Sequence, residues 1–142
     1  IYQAFSAYLA HFKKCHMEFF RAINVQTDEQ IIQNTFDFNR LEAMSSQLFL
    51  LEPLSSSHAE IGSLWGEFTL TRQEINGGLR FSLLECPNAL TWTITTGYEP
   101  APDSLIVHLT INRTEKDQDF LEEIEDFLND HSDCLKRTLT GT

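Results

Sequence analysis

At 142 residues the chain has the length of one domain. A chain of that size buries about two thirds of its unfolded surface, so it needs no metal or disulfide staple. Its 21 acids against 10 bases give a net charge of −11, a field that repels nucleic-acid phosphate and anionic membrane, and no run of about 18 apolar residues is present to span a bilayer.

The first segment reads as a helix to about Asn24. Ile1, Phe5, Tyr8, Phe12, Cys15 and Phe19 recur at spacings of four and three, and Tyr2, Leu9, Phe20 and Ile23 widen the stripe. Aromatic residues are weak helix formers, so packing must hold such a helix. The chain opens at Ile1 inside this pattern, so it reads as a domain cut from a longer protein or a chain whose ends were lost; a removed leader stays open. Thr27 to Gln30 has the pattern of a capping box with Thr27 at the N-cap, and predicts a second helix. Leu41, Met44, Leu48 and Leu51 keep helical spacing, although Gln47 to Leu51 equally suits the start of a strand. Glu52-Pro53 closes this part and Ser55-Ser56-Ser57 is a loop.

A β region follows. Leu64 to Glu74 alternates, Asn76-Gly77 follows, and Leu79 to Glu85 alternates again, the strongest short signal of a hairpin. A two-residue loop sets Arg72 opposite Phe81 and Leu70 opposite Leu83, so Phe68, Leu70, Phe81 and Leu83 share a face. Cys86 to Ala89 is a turn. Leu90 to Thr95 is a third strand, with Leu90, Trp92 and Ile94 on one side and Thr91, Thr93 and Thr95 on the other. Gly97 to Pro102 connects it to a fourth, where Leu105, Val107, Leu109 and Ile111 alternate with Ile106, His108 and Thr110.

Thr114 is the expected cap of a last helix from Glu115 to about Asp130, with Phe120, Ile124, Phe127, Leu128 and His131 along one side. Nine acids and one lysine lie between Glu115 and Asp133. The expected fold is a single α+β domain over 1–142, a two-layer sandwich in which a four-stranded antiparallel meander (64–112) follows two N-terminal helices (1–52) and precedes one C-terminal helix (115–135).

Little in this pattern points to chemistry. Cys15, Cys86 and Cys134 are an odd number without close spacing, which indicates a reducing compartment, cytoplasmic or nuclear, and no disulfide framework. His11, Cys15, His131 and Cys134 would close a zinc site only if the two helices met, and neither pair has zinc-finger spacing, so no metal is expected. Cys86 has no base placed beside it by the sequence, no serine lies in a nucleophile elbow, and Gly77-Gly78 belongs to the hairpin. Neither a catalytic residue nor a cofactor is assigned.

The stretch Leu90 to Thr96, then Gly97-Tyr98-Glu99-Pro100-Ala101-Pro102, then Ser104 to Ile111 and a helix resembles the RWD domain, a relative of the ubiquitin-conjugating enzymes, over about residues 64 to 131. That family has Tyr followed directly by Pro, where this chain inserts Glu99. The resemblance implies a protein-interaction module without conjugating activity, since the stretch Asn112 to Asp119, where such enzymes carry their catalytic cysteine, has none.

The expected function is accordingly non-catalytic protein binding, as a subunit of a larger complex or a dimer with a second copy, and without nucleic acid or membrane. The candidate partner-binding residues are Phe5, Phe12 and Phe19 on the first helix and Glu122, Glu123 and Asp126 on the last. The alternatives are an acidic bacterial binding protein, of secretion-chaperone or toxin-immunity type, and a small-molecule-binding or enzymatic α+β domain.

Overall fold

The computed structural model describes residues 17–99, 101–112 and 118–141. In chain order the elements are β1 (Met17–Ile23), α1 (Glu29–Thr35), a single 3-10 turn (Phe38–Arg40), α2 (Leu41–Met44), β2 (Phe49–Pro53), β3 (His58–Ser63), β4 (Gly66–Ile75), β5 (Gly78–Leu83), β6 (Thr91–Thr96), β7 (Leu105–Ile111) and α3 (Gln118–Thr140). All seven strands join one antiparallel sheet of order β1-β7-β6-β5-β4-β3-β2.

The α+β class therefore stands, but the four-stranded meander with two N-terminal helices is overturned. Two further strands, β2 and β3, extend the meander on one side, and β1 closes on β7 at the other. Met17–Ile23 is a strand and not the end of a helix. Over these residues the same letters fit both periods. Met17, Phe19 and Ile23 point with Arg21 to one side, Glu18, Phe20 and Ala22 to the other, and Phe and Ile favour strands over helices. Partnership with β7, from Met17 opposite Ile111 to Ile23 opposite Leu105, decides the outcome. The earlier part of the expected helix, with Phe5 and Phe12, lies outside the described residues.

The second helix is short and starts one residue later than its capping pattern implies. Asp28 is the N-cap, and its carboxylate accepts from Ile31 N–H at 2.8 Å. At the other end Arg72 reaches from β4 and donates to the carbonyls of Phe36 at 2.7 Å and Gln33 at 2.6 Å. A cation thus neutralises the negative end of α1. Gln33 returns two bonds to the carbonyls of Ile75 and Gly78, which pins α1 to the β4–β5 hairpin.

That hairpin has the expected register, Leu70 opposite Leu83 and Arg72 opposite Phe81. Of its two loop residues only Gly77 has positive φ, at 86°, and the Tyr98 ring lies so close that a Cβ on Gly77 would stand 2.3 Å from it. α3 runs ten residues beyond the expected end at Asp130, because Cys134 and Leu135 continue the buried stripe of Ile124, Phe127, Leu128 and His131, and Gly141 with φ of 75° follows the last turn. The expected cap Thr114 lies outside the described residues.

Residues directly opposite on neighbouring strands project to the same side. On one side Leu70, Leu79, Phe81, Leu83, Trp92, Ile94, Val107 and Leu109 are buried. Trp92 is central there, stacked on Phe81 at 5.3 Å and edge-on to Phe127 of α3 at 5.4 Å. Among the described residues the helices cover this side only.

Candidate binding face

The other side of the sheet is a polar and aromatic array set by the register. One row across the strands reads Gln73, Arg80, Thr93, His108 and Phe20 on β4, β5, β6, β7 and β1. The row on one side of it reads Thr71, Ser82, Thr91, Thr110 and Glu18, and the row on the other reads Gly78, Thr95, Ile106 and Ala22. Strand alternation, which buries Trp92 and Val107, necessarily turns Thr93 and His108 to this face.

Two hollows lie on it. The larger, of about 640 Å³, is mainly apolar and is floored by Phe20, Ala22, Ile106 and Thr95, with Tyr98 and Ala101 as one wall. The smaller, of about 240 Å³, lies between Arg80, Thr91, Thr93, His108 and Thr110. Thr93 and His108 border both, so the hollows run together into one trough over β5, β6, β7 and β1.

Phe20 is 56% exposed, yet it is held in place. Its ring stacks on His108 with centroids 4.3 Å apart and planes 1° from parallel, and His108 Nε2 lies 3.1 Å from a Glu18 carboxylate oxygen. Arg80 is exposed, and among the described residues it has no carboxylate partner.

Of the residues singled out from the sequence, Phe5 and Phe12 fall outside the described residues and the others lie elsewhere. Phe19 is on β1 but faces the helices, half-buried against the core. Glu122 and Asp126 are exposed on α3, and Glu123 borders a separate notch with Trp65, Phe120 and Cys86. None of these meets the trough. Arg80, Thr93, Ile106 and His108 had a signal in the sequence, the half of the β5, β6 and β7 alternation opposite the core face. Phe20 had none while β1 read as helix.

Chemistry is sparse. Neither His58 nor His108 borders the notch that holds Cys86, and among the described residues no three His, Cys, Asp or Glu side chains gather as metal ligands. The strongly perturbed group is structural. His131 is fully buried on α3, where desolvation pushes its pKa down to about 4 despite the Met44 carbonyl, 2.6 Å from Nδ1, and the charge of Asp130. Nδ1–H thus donates to the end of α2, and among the described residues Nε2 has no partner. Beside it Asp130 accepts from the Ser45 hydroxyl at 2.7 Å and Ser46 N–H at 2.9 Å. Burial raises the Asp130 pKa, but these bonds, the Ser46 hydroxyl and His131 outweigh it and leave the pKa lowered. The two groups clasp α3 to α2.

No family model matches the chain, and no curated protein does either. Solved structures do. The protein XoxI from Bacillus cereus superposes with a TM-score of 0.57 at 11% identity, covering 89% of this chain and 96% of that one. An uncharacterized protein from Bacillus thuringiensis gives 0.56 at 12% identity, over 88% and 98%. At such identities these likenesses show the fold alone: this chain shares its architecture with two bacillary proteins of nearly the same extent.

Proposed function

We propose that the protein is a non-catalytic interaction module that takes a segment of another protein on the sheet face that no described helix covers. The observation that carries the reading is the trough. It is open and mainly apolar, and it is floored by strands whose other side is locked into the core. An apolar groove on a rigid support suits a peptide segment, whose alternate side chains fill it. The RWD resemblance implies the same class of function, and the odd number of cysteines without close spacing favours an intracellular setting.

A second reading, a small-molecule site, is favoured by the volume of the larger hollow, which falls in the usual range of about 300–1,000 Å³ for ligand pockets. Its openness favours the first, since such pockets enclose most of their ligand.

Photo-crosslinking in cells of the native source separates the surfaces. A benzophenone amino acid at Thr93 is expected to give one discrete protein adduct that disappears with Phe20→Asp. The same probe at Glu122 is expected to give none. An adduct from Glu122 alone would move the binding surface to the acidic helix and refute the trough.

A further inference from the structure

We infer that the segment seated in the trough carries a carboxylate, held by Arg80 and the threonine hydroxyls around it, with the neighbouring apolar residues of the same segment in the larger hollow. The inference rests on the interaction-module reading and deepens it by naming what is recognised.

Arg80 is the reason. The chain has 21 acids and 10 bases, so a guanidinium finds carboxylates easily. Arg21 is paired with Glu125, and Arg72 is spent on the carbonyls of Phe36 and Gln33. Arg80 has neither kind of partner among the described residues, although it stands in the middle of a sheet face and not at a frayed end. Its cross-strand neighbour Thr93 and the nearby Thr110 bring hydroxyls to the same hollow, while Thr91 donates its own to Ser82. A guanidinium fork with hydroxyls beside it matches the geometry of a carboxylate, which accepts two parallel N–H bonds. His108 Nε2 is already engaged by Glu18, so the seat is Arg80 and the hydroxyls.

The net charge of −11 works against a free anion approaching from solution. It works less against a carboxylate carried by a segment whose apolar side chains contact Phe20, Ala22 and Ile106. Glu99, at the far wall of the larger hollow, adds a local reason for the apolar part and not the anion to lie there. The chemistry required is therefore one carboxylate flanked by apolar groups, as at the C-terminal end of a peptide chain.

The test uses the whole chain with three probes at millimolar concentration: acetyl-phenylalanine as the free acid, its amide, and dodecanoate. The readout is the nitrogen-15 spectrum, including the Arg80 Nε–H signal. The free acid is expected to shift Arg80, Thr93 and Ile106 together, and the amide to bind about tenfold or more weakly, the loss of a charge-assisted pair. Arg80→Gln is expected to erase that difference while leaving the melting temperature unchanged. Equal binding of acid and amide, in wild type and Arg80→Gln alike, overturns the carboxylate seat and leaves the interaction module standing. Dodecanoate binding through Arg80 while acetyl-phenylalanine shifts nothing keeps the seat but assigns it to an amphiphile, and overturns the protein segment. No shift at Arg80 with any probe overturns the inference outright, and the crosslink from Thr93 then judges the module by itself.

Discussion

The two faces of this sheet are made by the same strands and differ in almost every physical respect. Trp92 is packed between Phe81, Phe127 and His131, while its neighbour Thr93 borders the trough. Val107 is fully buried and the next residue, His108, stacks on an exposed phenylalanine. Period-two alternation separates the two tasks cleanly. One face carries the apolar burial that offsets chain entropy, and the other is left to present chosen side chains on a backbone that cannot yield. A rigid floor matters for recognition, because ordering a loop at the moment of binding would weaken affinity.

Mutation at adjacent positions breaks or sharpens this contrast, and the largest effect is expected at the centre of the covered face. Trp92→Ala should cost about 3–5 kcal/mol in urea unfolding, the transfer loss plus the cavity left under α3. Thr93→Ala, one residue on, should change stability by less than about 0.5 kcal/mol. Comparable losses at both positions would mean that the open face is also packed and that the trough is not a free surface.

The second effect belongs to the clasp behind the covered face. His131 is buried neutral, with a folded pKa near 4 against 6.5 for the free side chain. Its contribution is thus fully present above pH 6.5 and is lost as pH falls from there towards 4. The whole window is worth about 3 kcal/mol, at 1.36 kcal/mol for each pKa unit. The lowered Asp130 adds to the loss only below its usual 3.8. Stability measured from pH 7.5 to 4.5 should fall in wild type and lie nearly flat in His131→Gln, which starts lower. Parallel slopes in the two proteins would show that the acid sensitivity arises elsewhere.

How much of this was legible in the sequence follows the same division. The β4–β5 register, the bounds of β7 and the apolar faces of β6 and α3 were readable, because alternation or helical spacing is unbroken there and an Asn-Gly pair fixes the turn. β3 was missed because His58-Ala59-Glu60-Ile61-Gly62-Ser63 alternates with small residues. Its Gly62, a poor strand former, is needed because the Phe49 ring of β2 lies over it. β2 was blurred by the irregular register between Leu50 and Glu52, which breaks the alternation. β1 was misread because Arg21 stands at an inward position, where its charge is met by Glu125 and Asn129 of α3, a long-range partnership that no local pattern shows. The trough needed β5, β6, β7 and β1 side by side in that order, so its composition was visible while its location was not.

A third and smaller effect tests the link between the sheet and its N-terminal cover. Arg72→Met keeps most of the stem volume but removes both bonds to the last carbonyls of α1. A loss of about 2–3 kcal/mol is expected, the scale of buried hydrogen bonds to a charged group. Hydrogen exchange should localise it, with faster exchange in α1 and the Gly77 turn and little change in β6 and β7. Uniform acceleration across the sheet would show that α1 is no separable layer.

The smallest effect on stability is predicted where the effect on binding should be largest. Phe20 is more than half exposed and touches the fold chiefly through its stack on His108. Phe20→Ser removes that stack and a side chain that solvent already reaches, so unfolding should change by about 0.5–1 kcal/mol, the usual worth of an exposed aromatic pair. The core-facing neighbour Phe19 gives the control, since Phe19→Ser strips a side chain packed against the buried cluster and should cost clearly more. In the Thr93 crosslinking experiment the order should invert, with the adduct lost in Phe20→Ser and retained, in whatever fraction remains folded, in Phe19→Ser. If Phe20→Ser were the more destabilising of the two, the ring would be a structural prop for β1 and the trough would lose its apolar floor as a recognition element. If both variants kept the adduct, the occupant would be gripped by β5 and β6 alone, and Arg80 would carry the recognition without aromatic help.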